Sequence, residues 1–166
     1  MKNKKDLDLK NMRMLVISDS HGNFYLLNKI IKNETYDAVI FLGDGAKDMT
    51  EIAKSIDKPV YILLGNNDFF VKGKESLVLN IEGKTLFACH GHNHYVKSTK
   101  DYLKAEALKH GADIVLYGHT HDADILYENG VYYLNPGSLY CAKKGYLSVM
   151  LLDIGDYGIM PIIKKV

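Results

Sequence analysis

The sequence has no tryptophan, three prolines and two cysteines in 166 residues. Cys89 and Cys141 lie far apart, match no zinc spacing and build no disulfide framework. With no export signal in view they read as reduced thiols of a cytoplasmic protein. Long apolar runs are missing too. The longest, 38–42 and 60–64, hold five residues each, against about 20 for a membrane span, so no membrane association is expected. Arginine is nearly absent: Arg13 stands alone among 21 basic residues, which 20 acidic ones almost cancel to leave +1. A duplex-binding surface wants a basic face and guanidinium forks, so stable nucleic-acid binding is not expected either. Residues 1–11 are polar, without the apolar centre of a signal peptide. They read as a flexible tail ahead of a single domain, 12–166.

What remains is an ordinary globular composition, 47% hydrophobic and 25% charged. A chain of this length can bury roughly 70% of its unfolded surface. Short apolar runs at 14–17, 38–42 and 59–64 read as buried strands, and helical spacing lies between them (Phe24, Leu27, Ile30, Ile31, then Met49, Ile52, Ala53, Ile56). This βαβαβ start predicts a parallel sheet with helices packed on it. Later, 76–81 and 85–89 flank Glu82-Gly83-Lys84, 125–127 and 131–134 flank Glu128-Asn129-Gly130, and 147–152 and 159–163 flank Gly155-Asp156-Tyr157-Gly158. These read as three hairpins. Between the first two, Ser98-Thr99-Lys100-Asp101 offers a capping box for a helix that stops at Gly111, and 113–117 reads as another strand. The expected fold is α/β, with two mixed sheets sandwiched between helices.

Five of the expected strands run into loops rich in potential ligands: Asp19-Ser20-His21, Gly43-Asp44-Gly45, Gly65-Asn66-Asn67-Asp68, His90-Gly91-His92 and Gly118-His119-Thr120-His121. Sites in open α/β sheets form beyond the carboxyl ends of strands. Packing does not require five segments to deliver Asp, His and Asn there. Carboxylate, imidazole and amide oxygen without thiolate suit Mn, Fe, Co, Ni or Zn better than a calcium cage. Asp19, His21, Asp44, Asn66, His90, His119 and His121 are too many for one four-coordinate zinc and fit two ions sharing a carboxylate.

The ordered set DxH, GD, GNxD, HGH and GHTH resembles the calcineurin-like metallophosphoesterases, and its spacing is similar to their small bacterial and archaeal phosphodiesterase branch. The late Asn135-Pro136-Gly137-Ser138 is similar to that branch's last loop. The resemblance runs from about residue 13 to the C-terminus. It implies that Asp19, His21 and His121 hold one divalent ion, that Asn66, His90 and His119 hold the other, and that Asp44 bridges. Manganese is the expected metal, with Ni, Fe, Zn, Co or Mg as alternatives. Two ions about 3.5–4 Å apart would acidify a shared water for in-line attack on phosphorus. Asp44, Asn66 and His92 are the expected catalytic residues. Many members carry His where this chain has Asn67, which leaves His92, two residues past a ligand, to protonate the leaving group.

The implied activity is hydrolysis of a small phosphodiester. Phosphomonoesterase or nucleotide pyrophosphatase activity at the same centre is one alternative. A scaffold that keeps the fold without catalysis, as in the similar retromer subunit, is another, although such a protein should have lost ligands. A homo-oligomer is the macromolecular partner left open. Blander roles are expected elsewhere: Asp68 holds its loop, Asn23 caps the first helix, His94 is solvated or lines the cleft rim, and His110 is a surface residue in the last turn of its helix. Cys89 points into the core, the 135–138 loop is a rigid turn, and Lys143 and Lys144 form a solvated face.

Overall fold

Successive strand residues point to opposite faces, so an unbroken apolar strand needs cover on both sides. The computed structural model, which describes residues 11–141 and 143–166, meets that need with two sheets and outer helices. Its elements are β1 (Asn11–Ile17), α1 (Phe24–Asn33), β2 (Ala38–Phe41), α2 (Ala46–Ala53), β3 (Val60–Ile62), β4 (Ser76–Ile81), β5 (Lys84–Cys89), a 3-10 turn (His92–His94), α3 (Asp101–His110), β6 (Ile114–Leu116), β7 (Asp124–Glu128), β8 (Val131–Asn135), β9 (Ser148–Gly155) and β10 (Gly158–Lys165). The sheets have strand orders β10-β9-β1-β2-β3 and β4-β5-β6-β8-β7. Each is mixed: β1, β2 and β3 are parallel and the β9–β10 hairpin adds antiparallel to β1. Likewise β5, β6 and β8 are parallel, with β4 and β7 antiparallel at the edges.

Alternation along the central strands builds the layers. Met14, Val16, Ile40 and Leu42 face Leu86, Ala88, Ile114, Leu116 and Leu134 across the gap between the sheets. The intervening Leu15, Ile17, Val39 and Phe41 take Leu27, Ile30 and Ile31 of α1 and Met49 and Ile52 of α2. On the opposite outer face Phe87, Cys89, Val115 and Tyr117 pack under Leu103 and Ala107 of α3. Cys89 is therefore buried, as expected, and burial pushes its thiol up to about 12. No helix among the described residues is long and apolar enough to cross a membrane.

Arg13 is used inside the first sheet. It lies opposite Asp153 on β9, and its Nε and Nη2 donate to the two carboxylate oxygens at 2.6 and 2.7 Å. The one guanidinium is thus engaged away from the ligand-bearing loops.

Four local expectations need correction. Asn11, assigned to the tail, pairs with Gly155 as the first residue of β1; residues 1–10 of that tail lie outside the described residues. The capping box does not form: the N-cap of α3 is Lys100, without a side-chain cap, and Thr99 Oγ1 accepts from the N–H of Asp101 at 3.1 Å. His110 is half-buried rather than a surface residue, because its ring stacks on Phe87 at 5.3 Å while Nε2 pairs with Glu106 at 3.0 Å. His94 leaves the cleft rim and packs edge-on against the same Phe87. Gly111 does end α3, at φ 59°.

Leu116 is fully buried between the sheets. Leu116→Ala is expected to lower the unfolding free energy by about 2–5 kcal/mol in a denaturant titration; a loss under about 1 kcal/mol would contradict this packing.

Candidate metal centre

The parallel strands bring their carboxyl ends to one edge of the sandwich, where backbone bonds stitch the loops together. Asp19 N–H donates to Gly43 O at 3.0 Å, His21 N–H to Asp44 O at 2.9 Å and Gly118 N–H to His90 O at 2.9 Å. The chain reaches this arrangement through backbone that L-residues seldom adopt. Asp19, His21, Asp44, His119 and His121 all have positive φ, from 43° to 67°. Such conformations cost of order 1–3 kcal/mol each and persist where surrounding contacts over-determine them.

The side chains converge in two groups, Asp19–His21–His121 and Asp44–His90–His119, each able to offer three donor atoms within 4.8 Å of one another. In the first, His121 Nε2 lies 3.2 Å from Asp19 Oδ1 and 3.2 Å from His21 Nε2. Asp44 Oδ2 stands between the groups, 3.4 Å from His90 Nε2 and 3.6 Å from His21 Nε2. Asp19, Asp44 and His90 are buried; His21, His119 and His121 are partly open toward solvent.

Polar partners aim these groups inward. Asp19 Oδ2 accepts from Ser18 Oγ at 2.6 Å and from the His119 N–H at 2.9 Å, which leaves Oδ1 buried without a donor. His90 donates Nδ1–H to Leu42 O at 2.9 Å, and its Nε2 is likewise buried without a partner. A buried carboxylate oxygen and a buried imidazole lone pair, left free 3.8 Å apart, fit a shared cation, as does the mixture of carboxylate and imidazole. Divalent metal is the group these residues suit.

Glycine enters where backbone must lie against a carboxylate. A Cβ on Gly65 would overlap Asp44 Oδ1, and one on Gly118 would overlap Ser18 Oγ and crowd Asp19 Oδ2. Asp68 holds its loop, as expected. Its carboxylate accepts from the N–H groups of Asp44, Gly45, Ala46 and Gly65 at 2.7–2.8 Å.

The electrostatics follow from this packing. Burial opposes the charge on Asp44, but His90 close by and the donors of Asn67 outweigh it and hold the carboxyl at about 2. Asp19, despite its burial, is held well below the usual carboxylate range by His121 and His21. The nearby carboxylates of Asp19 and Asp44 raise His21. Burial, with His90 nearby, pushes His119 down to about 4. Two ionised carboxylates therefore wait among imidazoles at neutral pH.

Six of the seven expected ligands meet in the two groups. The seventh, Asn66, lies exposed in the loop after β3, and the amide that reaches Asp44 is its neighbour: Asn67 donates N–H to Oδ1 at 2.8 Å and Nδ2 to Oδ2 at 2.7 Å. His92 sits beside the second group, its ring 5.4 Å from that of His90 and 6.2 Å from that of His119. Asn23 caps α1 as expected, accepting from the Leu26 N–H, and donates Nδ2 to Leu139 O. The 135–138 turn proves to be a brace: Ser138 Oγ donates to Asp19 O at 2.9 Å, and Asn135 Nδ2 to Gly118 O and Thr120 Oγ1. Lys143 and Lys144 are exposed, as expected, and Lys144 also reaches Ala123 O and Asp122. Sequence reasoning missed Ser18, Asn67 and the bracing role of Ser138; the one available signal was their adjacency to the ligand motifs.

Residues 12–157 match the model of the calcineurin-like phosphoesterase superfamily domain. The chain belongs to that family. It is 32% identical over 130 residues to a probable metallophosphoesterase of Bacillus subtilis, YsnB, covering 77% of this chain and 75% of the relative. It is 25% identical over 161 residues to the phosphodiesterase MJ0936 of Methanocaldococcus jannaschii, covering 86% and 93%. Among solved structures, a predicted phosphoesterase of Streptococcus pneumoniae superposes with TM-score 0.83 at 24% identity, over 93% of this chain and 90% of that one. Zinc-complexed Vps29 of Entamoeba histolytica superposes with TM-score 0.76 at 24% identity, over 93% and 98%.

Because a side chain at 65 must displace the Asp44 carboxylate, Gly65→Ala is expected to lower metal content measured by atomic absorption while circular dichroism stays native. Full metal loading in the variant would contradict the geometry.

Proposed function

We propose that this protein is a divalent-metal-dependent phosphodiesterase acting on small phosphodiesters. The observation that carries the reading is the position of the buried Asp44 carboxylate between two three-residue donor groups. Asp19, His21 and His121 would hold one ion, His90 and His119 the other with Asn66 completing it, and Asp44 would bridge. Manganese is the metal we favour for this mixed carboxylate and imidazole set; Ni, Fe, Zn, Co or Mg suit it less well or equally. What the pair of ions supplies when bound is Lewis-acid charge at phosphoryl oxygens and acidification of water.

The chain's own groups do the rest. Asp19 and Asp44 bring the negative charge that retains cations, and Ser18, Asn67 and the His119 N–H fix the direction of their oxygens. Asp68 holds the Asp44–Ala46 and Gly65 backbone in place. His92, beside the second group but outside it, is positioned to hydrogen-bond the departing oxygen. Among the described residues no serine or cysteine pairs with a histidine base, and Ser18, bonded to Asp19, is fully buried, so no protein nucleophile is set up.

Diester over monoester is supported by the similarity to the phosphodiesterase MJ0936 and by a cavity of about 390 Å³ beside His21 and Asp44, with room for a substituent beyond the phosphate itself. The scaffold reading is disfavoured because all seven expected ligand types are retained. Two free thiols, Cys89 and Cys141, support the cytoplasm as its compartment.

Bis(p-nitrophenyl) phosphate is expected to be turned over faster than p-nitrophenyl phosphate with Mn, and Asp44→Ala to lower both the rate and the bound metal by at least ~100-fold and one equivalent, respectively. Full activity in Asp44→Ala would overturn the assignment. His92→Ala is expected to steepen the dependence on the leaving group, losing about 10²-fold with phenolate and far less with p-nitrophenolate; equal losses would remove His92 from that role.

A further inference from the structure

Two cavities near the ligand-bearing loops differ in chemistry. The one at Thr120 is lined mostly by lysines and aspartates, with Val96 and Tyr117, and includes no residue of the two donor groups. The other brings His21 and Asp44 together with Lys47, Asp48, Phe69 and Val71. Phe69 keeps 69% of its surface exposed and forms no ring contact with another aromatic among the described residues. An apolar ring left open beside a charged centre gains about 25 cal/mol per Å² when a ligand covers it. Its backbone is already fixed, because Asp68, the preceding residue, is anchored by four N–H donors and closes turns to Gly65 and Val71. Little ordering is left for binding to bring about. Lys47, in the same space, has no ion-pair partner among the described residues: Glu51, one helical turn on, is paired with Lys54 instead.

We propose that this cavity accepts a planar aromatic substituent of the diester, of nucleobase type, stacked on Phe69 with Lys47 within reach of its ring carbonyls. The substrate is then a nucleoside phosphodiester whose nucleoside lies on the β3 side of the centre. This rests on the phosphodiesterase reading for turnover but not for binding. At about 390 Å³ the cavity is in the range of small-molecule sites, and ring stacking is tolerant of which base is present. Phe69 is a specificity residue here: it touches the retained substituent, not the reacting atoms.

The test compares two esters with one leaving group, thymidine 5′-(p-nitrophenyl phosphate) and methyl p-nitrophenyl phosphate. The wild type should favour the thymidine ester in kcat/KM by about 5-fold or more. Phe69→Ala should bring the ratio of the two esters toward one, and Phe69→Trp should restore it. A ratio near one in the wild type, or unchanged in Phe69→Ala, would overturn the proposal. Binding is read separately by calorimetry with adenosine 5′-monophosphate against ribose 5-phosphate, which needs no turnover. Tighter binding of the nucleotide in the wild type, lost in Phe69→Ala, supports the aromatic subsite even if neither ester is hydrolysed, in which case the phosphodiesterase reading alone fails. Equal affinities, or a change in sedimentation of Phe69→Ala in place of a change in selectivity, would overturn it.

Discussion

Two carboxylates, Asp19 and Asp44, are buried at the meeting point of two sheets, and the rest of the centre answers to that fact. Burying an ionised carboxylate costs several kcal/mol unless donors and opposite charge surround it. Ser18, Asn67 and the His119 N–H satisfy part of the demand, and Asp19 Oδ1 is left without any donor. Imidazoles from two other loops, and His21 from the loop of Asp19 itself, close the gap. An arrangement so short of positive charge is suited to cations, and it explains why a fold with little net charge concentrates its histidines along one edge.

The same edge carries the backbone strain. The ligand residues with positive φ sit on turns that follow fully buried strands, so the rigid core between the sheets supplies the energy that holds them there. Bonds between distant segments do the aiming. Asn135 and Ser138, at the end of β8, hold Gly118 and the backbone of Asp19, and Asp68 ties two loop segments, 44–46 and Gly65, to one carboxylate. Stability and chemistry are therefore coupled: a substitution that loosens a brace should shift donor positions before it unfolds the sheet.

Much of this was legible in the chain. Apolar runs of four or five residues marked β1, β2 and β3, the last two ended by glycine, because buried parallel strands leave no polar face to blur the pattern. The Asp and His motifs were legible because they follow those strands directly. What sequence reasoning lost depends on contacts far apart along the chain. Nothing local distinguishes Asn66 from Asn67, yet only the second meets Asp44. His94 and His110 looked like solvent-facing residues until Phe87, on a strand, drew both onto the helix side of the second sheet. Ser98 fits a capping pattern, but the turn before α3 uses Thr99 instead. The joining of β9 to β1, which makes the first sheet mixed, has no signature in either segment alone.

The central claim is that these six side chains form a pair of cation sites. Diffraction from crystals grown with manganese, recorded at its absorption edge, tests it directly. Two anomalous peaks are predicted, one among Asp19, His21 and His121 and one among Asp44, His90 and His119; peaks elsewhere on the surface, with none between these groups, would contradict it.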